Sequence, residues 1–252
     1  MSSGRRKPQG YLNIFDEMGA DWEAIVDRRD TEKEAQFVEE VVPREGSLLD
    51  LCCGTGRHSI ILSDKGIDVV GMDLSRNLLR IARQRMKGAN VTFPLVRAEM
   101  RRFPFRDNAF ASVISMFTSF GYLPSEAEDL KSFKEISRTL EKNGVLLLDL
   151  ANFQHIKRNF RERDWAEFQP YYMLEERSLD LKNPKLRSSW ILIRKTTCQV
   201  ESILHEVRLY TVIGLRRMLK QSGLVARKLY GGYERQKFSH ETSRLIVVVQ
   251  KQ

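Results

Sequence analysis

The chain has 252 residues, 42% hydrophobic and 30% charged, which suits one large domain or a core domain with a substantial insertion and excludes large-scale disorder. Its net charge of +9 favours anionic partners such as RNA, but the basic residues are spread along the chain and no single tract dominates. No stretch approaches the roughly 20 apolar residues that span a bilayer, and no apolar run follows the basic N-terminus, so we predict a cytoplasmic protein without a membrane anchor.

Strands and helices alternate through the first 150 residues. Short apolar runs predict strands at 47–53, 67–75, 90–99, 109–117 and 145–151. Amphipathic or capped segments predict helices at 31–42, 57–65, 76–87 and 126–141. Because the strands are almost continuously apolar, they are typical of a parallel sheet covered by helices on both faces.

The pattern changes after residue 152. Segments rich in Val, Ile, Thr and Trp occupy residues 171–210, on both sides of a turn at 182–184. They predict two or three antiparallel strands. A helix at 213–223 and two closing strands at 223–231 and 243–251 complete the predicted fold, which is an α/β core of seven strands with an antiparallel insert before its last helix.

The sharpest motif is Asp50-Leu-Cys-Cys-Gly54-Thr-Gly56, at the end of the first predicted strand. Ligands of open α/β sheets lie beyond the carboxyl ends of the strands, and we expect glycine at positions 54 and 56 to let a nucleoside approach the backbone. The second strand ends in Asp73, whose carboxylate can accept hydrogen bonds from both hydroxyls of a ribose. The third glycine of the dinucleotide-binding fingerprint is missing, which disfavours a nicotinamide oxidoreductase.

These residues carry a family resemblance. The segment DLCCGTGRHS (50–59), followed by VGMDLS (70–75), resembles the first two motifs of the class I S-adenosylmethionine-dependent methyltransferases. The segment RAEMRRFPF (97–105) is similar to the third, with Glu99 where the family usually has Asp beside the adenine. The resemblance covers about residues 30–150. It implies a Rossmann-like, mostly parallel seven-stranded sheet and S-adenosylmethionine as the cofactor, with S-adenosylhomocysteine as the product.

The resemblance also implies the cofactor contacts. They are Asp50, Cys52, Gly54, Thr55, Gly56, Arg57, Asp73, Leu74, Glu99, Met100 and Met116. Asp50 has the alternative role of bracing the loop. Cys52 and Cys53 fit packing better than catalysis, and the three cysteines and four histidines lack the spacing of a disulfide framework or a zinc site, so we expect no metal.

The segment MFTSFGYL (116–123) follows the fourth strand, at the edge where a methyl acceptor would bind. It lacks the Asn/Asp-Pro-Pro-aromatic sequence of enzymes that methylate adenine amino groups or glutamine, and the nucleophilic cysteine of RNA cytosine-C5 enzymes. It is similar to the small-molecule branch of the family, which includes amino-sugar N,N-dimethyltransferases. That branch also carries an antiparallel insert. We therefore predict a cofactor-binding core at 1–154, an insert forming a lid or acceptor wall at 155–210, and completion of the core at 211–252.

Several side chains are candidates for the acceptor side. The predicted acceptor-binding residues are Trp22, Ser119, Tyr122, Arg208, Tyr210 and Tyr233. Tyr122 and His205 are the candidate catalytic residues, since either can contact the acceptor or its proton. Each has a competing role: Tyr122 as an aromatic floor beneath the cofactor, and His205 as a core histidine. Arg208 and Tyr210 can equally serve salt bridging and packing, and the aromatics Tyr11, Phe15 and Trp22 either fold over the cofactor or pack simply.

The sequence thus predicts an enzyme that transfers a methyl group directly to nitrogen or oxygen of a small molecule, by proximity and without a metal or a covalent intermediate. One alternative keeps the cofactor but makes RNA the acceptor, because of the basic charge. Another is a non-catalytic module that binds S-adenosylmethionine. We expect a monomer or a homodimer.

Overall fold

The computed structural model describes residues 30–252 together with residues 15, 16, 19, 21, 24 and 25. The helices are α1 (Thr31–Val41), α2 (Arg57–Asp64), α3 (Arg76–Gly88), α4 (Glu126–Thr139), α5 (Phe153–Arg158) and α6 (Val212–Gln221). The strands of the core are β1 (Leu48–Leu51), β2 (Val69–Asp73), β3 (Leu95–Arg97), β4 (Phe110–Ser115), β5 (Leu140–Ala151), β10 (Leu224–Tyr230) and β11 (Arg244–Lys251). Those of the insert are β6 (Arg163–Phe168), β7 (Tyr171–Asp180), β8 (Lys185–Arg194) and β9 (Val200–Arg208).

The core sheet has seven strands in the order β10-β11-β5-β4-β1-β2-β3. The five neighbouring strands β5, β4, β1, β2 and β3 pair in parallel. Strand β11 pairs antiparallel with both β5 and β10. Strand β1 pairs with β2 on one side and with β4 on the other, so the strand order reverses beside β1. The Rossmann-like prediction is confirmed. The reversal places the carboxyl ends of β1, β2 and β4 around one crevice, where such sheets bind ligands.

Helices cover both faces of the sheet, as the continuous apolar strands predict. Along β5, Leu146, Leu148 and Leu150 face one hydrophobic core, whereas Leu147 faces the other. Of the six helices named above, all except α2 begin where a side chain accepts a hydrogen bond from a backbone amide of the first turn: Ser75 accepts from Leu78 N at the start of α3. Among the helices in the described ranges, none is long and apolar enough to cross a membrane.

The insert is a separate antiparallel sheet in the order β6-β7-β8-β9. Strands β7, β8 and β9 lie within 171–210, where two or three strands were predicted, and β6 is a fourth strand that was not recognised. The β6 sequence, RDWAEF, has three charged residues in six, and its side chains alternate between exposed and half-buried. The charged residues of this segment therefore concealed its pattern as a strand in the sequence. The predicted turn at 182–184 lies between β7 and β8. The six-residue helix α5 was also missed.

Candidate active site

The loop between β1 and α2 turns by alternating left-handed residues. Cys52, Gly54 and Gly56 have φ angles of 62°, 56° and 72°. A non-glycine residue in this region is strained, and such strain is usually kept where a loop must have one particular shape. The backbone amide of Cys53 donates to Met72 O at 3.1 Å, which ties the loop to the end of β2.

Gly56 lies close to α3 and the core. A Cβ atom at this position would lie 3.3 Å from Ala82 Cβ and 3.7 Å from Phe93. A side chain at position 56 would therefore point toward α3 and the core, and the contact of the Gly56 backbone with the cofactor stays a prediction. Glycine is needed there for its positive φ and for the close approach of α3.

A cavity opens in the crevice in front of this loop. It is lined by the other predicted cofactor residues, namely Asp50, Cys52, Gly54, Thr55, Arg57, Asp73, Leu74, Glu99, Met100 and Met116, and by the predicted acceptor residues Ser119 and Tyr122. Residues that the sequence did not single out also line it: Cys53, His58, Met72, Ser75, Leu78, Ala98, Phe117, Thr118 and Leu123. Most of these residues lie within or beside the quoted motifs, and this position in the sequence could have identified them as cavity residues.

The carboxylate of Asp73 fixes the Gly-rich loop relative to β2. Its Oδ2 accepts from Gly54 N at 2.9 Å, and its Oδ1 accepts from Ser75 N at 2.8 Å. Burial raises the pKa of Asp73 to about 6, against the lowering effect of these backbone hydrogen bonds. Each carboxylate oxygen keeps a second lone pair, so Asp73 can accept two further hydrogen bonds from a ligand in the cavity.

Asp50 is almost completely buried at the other side of the loop. Its Oδ2 accepts from Ser59 Oγ at 2.5 Å. Burial raises the pKa of Asp50, although His58, Ser59 and Arg57 each lower it. The carboxylate therefore braces the start of α2, as the alternative interpretation has it, and at the same time lines the cavity. The two roles are compatible because Oδ1 is not used by Ser59.

A buried cation lies close to Asp50. Arg57 donates to Thr31 Oγ1 at 2.8 Å and forms an ion pair with Glu34 at 2.5 Å. His58 shares the same Glu34 oxygen, at 2.8 Å. The Nη2 atom of Arg57 is buried and has no hydrogen-bond partner among the described residues. A buried guanidinium nitrogen without a partner is costly, and it marks a place where an anionic group fits.

The chain leaves β4 in an unusual conformation. Phe117 and Thr118 are consecutive residues in the left-handed region, with φ angles of 56° and 59°, and both line the cavity. Asp149 of β5 holds them: its Oδ2 accepts from Phe117 N and its backbone oxygen accepts from Thr118 N, both at 2.8 Å. The strained turn is therefore stabilised by a neighbouring strand.

Two further side chains complete this network. Arg244 of β11 donates to Asp149 Oδ1 at 2.7 Å and to Thr118 Oγ1 at 3.1 Å. The Tyr233 hydroxyl donates to Asp149 Oδ2 at 2.6 Å. Tyr233 does not line the cavity, and its hydroxyl supports the turn through Asp149; its contact with the acceptor stays a prediction.

Tyr122 lies at the mouth of the cavity, and Phe15 lies against it. The two rings meet edge to face at 5.3 Å, and both line the cavity. Burial raises the pKa of Tyr122 to about 12, so the phenol is protonated at neutral pH and is a poor general base. Phe15 thus lies over the site, whereas Tyr11 and Trp22 fall outside the described residues.

His205 does not reach the cavity. Its ring lies 4.2 Å from Trp190 and 6.4 Å from Tyr122, between centroids. Burial lowers the pKa of His205 to about 4, so the imidazole is neutral and weakly basic at pH 7. This position and this pKa fit the alternative of a core histidine, and the role of His205 as a base stays a prediction.

Arg208 and Tyr210 also lie outside the cavity. Both donate to Asp129 Oδ2 of α4, Arg208 at 2.5 Å and Tyr210 at 2.8 Å. Asp129 is fully buried, and burial raises its pKa to about 6. This cluster attaches the end of the insert sheet to the core. These contacts fit the alternative roles of salt bridging and packing, and acceptor binding by Arg208 and Tyr210 stays a prediction.

Glu99 is held at the cavity edge by Arg101. Its carboxylate accepts from Arg101 N at 3.2 Å and forms an ion pair with the Arg101 guanidinium, which also pairs with Glu128 at 2.6 Å. The longer Glu side chain is thus anchored instead of extending freely. Its contact with the adenine stays a prediction.

Comparison with known proteins agrees with this geometry. Residues 48–144 match a family described as methyltransferase domain. This stretch of the chain is thus similar to a methyltransferase domain. Its relatives include a putative methyltransferase of Bacillus subtilis, YqeM, 29% identical over 63% of this chain and 61% of that protein. Another is the dTDP-3-amino-3,4,6-trideoxy-alpha-D-glucopyranose N,N-dimethyltransferase of Streptomyces venezuelae, 34% identical over 46% of each chain.

A solved structure extends the likeness beyond the methyltransferase domain. The amino pentose methyltransferase CalS10 of Micromonospora echinaspora superposes with a TM-score of 0.70 and covers 100% of both chains, at 20% sequence identity. At this identity the likeness establishes the shared fold. This chain spans less than two thirds of the length of the two curated relatives named above.

Proposed function

We propose that this protein is an S-adenosylmethionine-dependent methyltransferase that acts on nitrogen or oxygen of a small molecule. The observation that carries the proposal is the distribution of charge in the cavity. Asp50 and the unpartnered Nη2 of Arg57 lie on one side of the Gly-rich loop, and Asp73 ends the neighbouring strand. S-adenosylmethionine has an amino-acid zwitterion at one end, adenine at the other and a ribose between them, and the zwitterion and the ribose match these groups in kind and order.

The residues present therefore fit the cofactor. Arg57 would hold its carboxylate and Asp50 its ammonium group, since each is a buried charge of the opposite sign. Asp73 would hold the ribose hydroxyls. Leu74, Ala98 and Met100 would contact the adenine, with Glu99 near its amino group. When bound, S-adenosylmethionine supplies a methyl group made electrophilic by its sulfonium.

The protein would contribute orientation and exclusion of water. Phe15 and Tyr122 form an apolar edge of the cavity, and the turn at Phe117–Thr118 closes its other side. Neither predicted base is suited to remove a proton, because Tyr122 stays protonated and His205 lies outside the cavity. An amine acceptor that enters as the free base has no need of a protein base. Holding such a nucleophile in line with the methyl group is worth several orders of magnitude in rate.

The acceptor we favour is the amino group of a small hydroxylated molecule such as an amino sugar. One curated relative, at 34% identity, is named as an amino-sugar N,N-dimethyltransferase, and an amino pentose methyltransferase shares the fold along the whole chain. The insert sheet supports this choice, since its inner face lies beside Tyr122 and includes the polar residues Ser188 and His205.

The cofactor claim is tested by calorimetric titration with S-adenosylmethionine and S-adenosylhomocysteine. We expect both to bind the unchanged protein, and Asp73→Asn to weaken binding at least ten-fold, because an amide cannot accept from Gly54 N and Ser75 N as the carboxylate does. Asp107→Asn is the matched control: it lies at the opposite, amino end of β4 and is mostly exposed. Absence of binding by the unchanged protein would refute the proposal.

The acceptor class is tested by methyl transfer from radiolabelled cofactor to a panel of amino sugars, simple amines, hydroxyl compounds and RNA. We expect transfer to an amine and none to RNA. Transfer of the labelled methyl group to RNA would instead support RNA as the acceptor. Cofactor binding with no transfer to any member would favour a binding module instead.

A further inference from the structure

The insert sheet has an apolar face that the core does not use. Its outer face is defined here by six side chains on one side of β6–β9: Trp165, Tyr172, Leu174, Ile191, Ile193 and Val200. The strand register makes them neighbours, since Leu174 pairs with both Trp165 and Ile191, and Ile193 pairs with both Tyr172 and Val200. Trp165 is 65% exposed and Val200 is 63% exposed.

The opposite side of the same sheet is the one that packs inward. Tyr171, Met173 and Leu192 are buried in a small hydrophobic cluster with Ile25. Successive residues of a strand point to opposite faces, so burial of these residues requires their neighbours to face outward. A solvent-facing strand surface usually carries polar side chains there. A contiguous apolar patch on the outer face therefore calls for a partner.

Charged residues surround the outer face in ion pairs. Arg163 pairs with Glu176 at 3.1 Å, and Lys195 pairs with Glu167 at 2.8 Å. At the third side, Glu206 pairs with both Lys185 and Arg187. An apolar centre with a polar, ion-paired rim is the usual anatomy of a protein–protein interface.

We propose that the outer face binds the outer face of a second copy, which makes the protein a symmetric homodimer. The chain carries a net charge of +9, so two copies repel each other electrostatically, and the ion pairs of the rim leave this apolar face with little net charge of its own. For the same reason the face does not suit RNA or an anionic membrane, which would select clustered unpaired cations.

The size of the face is adequate for such a dimer. Four strands spaced about 4.8 Å apart, each up to ten residues long at about 3.3 Å per residue, give a flat footprint of roughly 600 Å². Accessible surface exceeds the flat footprint, and a standard interface buries about 800 Å² on each partner. Identical faces packed about a two-fold axis bring the same apolar centre together from both copies.

The test is sedimentation velocity over a concentration range, with and without Leu174→Glu. We expect the unchanged protein to sediment as a dimer at micromolar concentration. Leu174 lies on a central strand, so the substitution would bury two carboxylates in the dimer and raise its dissociation constant about a hundred-fold. Trp165→Glu, on the edge strand β6, is a second variant in case Leu174→Glu lowers folding, which circular dichroism would reveal.

Ile213→Glu is the matched control. Ile213 is 84% exposed on α6, outside the insert sheet, so this variant adds the same charge at another apolar surface position. We expect it to stay dimeric. A monomeric unchanged protein across the range, or folded Leu174→Glu and Trp165→Glu variants that dimerise as tightly as Ile213→Glu, would overturn the proposal.

Discussion

Asp73 is the residue at which the chemistry of the cavity is most sensitive to pH. Burial raises its pKa to about 6, so the carboxylate is ionised at pH 7 and becomes protonated as the pH falls through 6. Only the ionised form keeps acceptor capacity for two ribose hydroxyls in addition to Gly54 N and Ser75 N. Burial also raises the pKa of Asp50, so protonation of Asp50 at low pH would likewise weaken the binding of a ligand's ammonium group.

We therefore predict that S-adenosylhomocysteine binds more weakly as the pH falls below 6, by up to about ten-fold per pH unit for each proton that must be released. Calorimetric titration between pH 5 and 8 measures this dependence. In the Asp73→Asn variant, the affinity for S-adenosylhomocysteine should be low at every pH and should show no change near pH 6. An affinity that is constant from pH 5 to 8 would contradict the raised pKa.

Tyr122 has two roles that the structure leaves possible, and one substitution separates them. Tyr122→Phe keeps the ring that contacts Phe15 and removes only the hydroxyl. If the hydroxyl contacts the acceptor, we expect kcat/KM for the acceptor to fall about ten-fold, the cost of one hydrogen bond in a buried site, with cofactor affinity changed less than two-fold. Steady-state kinetics with both substrates varied gives the two values. An unchanged kcat/KM would favour the aromatic floor.

At the scale of single residues, the sequence predicts side chains in local motifs but not those held by contacts with distant parts of the chain. The grouping of Asp50, Gly54 and Asp73 around one cavity could be predicted because they lie in short local motifs. The partners of Arg208 and Tyr233 could not be predicted, because each bonds to a carboxylate about 80 residues away, Asp129 and Asp149 respectively. Nothing local distinguishes such a side chain from one that faces a ligand.

At the scale of the element, the turn after β4 depends on β5 and on the β10–β11 connection. Phe117 and Thr118 are held in left-handed conformations by Asp149, which accepts hydrogen bonds from the backbone amides of both residues. The Tyr233 hydroxyl in turn donates to the Asp149 carboxylate and holds it in place. Apolar β4 and β5 were predictable, since both are buried on both faces. The shape of the turn was not, because Phe and Thr are rarely found at positive φ and their presence gives no signal for it.

Tyr233→Phe tests this support. Removing the hydroxyl leaves one lone pair of buried Asp149 without its donor, so we predict a loss of about 1–2 kcal/mol in the free energy of unfolding and a several-fold lower kcat. Urea denaturation and steady-state kinetics measure the two effects. Tyr230→Phe is the matched control, because Tyr230 contacts the same Phe37 ring and its hydroxyl has no hydrogen-bond partner among the described residues. Equal effects in the two variants would count against the network.

At the scale of the whole molecule, the N-terminal segment joins the core to the insert. Asp16 accepts from Ser75 Oγ at 2.7 Å and from Asn77 N at 3.1 Å, at the start of α3. Asp21 contacts the Tyr171 hydroxyl and pairs with Arg194 of the insert sheet, the latter at 3.1 Å. The described residues of this segment thus lie between the two sheets, with Phe15 on the cavity.

Asp16→Ala should therefore weaken cofactor binding without any direct contact to the cofactor. The substitution removes two hydrogen bonds that hold Phe15 over the cavity, and at about 1 kcal/mol for each we predict a five- to thirty-fold higher dissociation constant for S-adenosylhomocysteine. Calorimetry measures the constant, and Asp107→Ala, at the amino end of β4, is the control. Unfolding free energy without ligand should change less than the binding free energy, because the segment contributes little to the two main cores. Unchanged affinity would mean that Asp16 positions the segment but that the segment does not close the site.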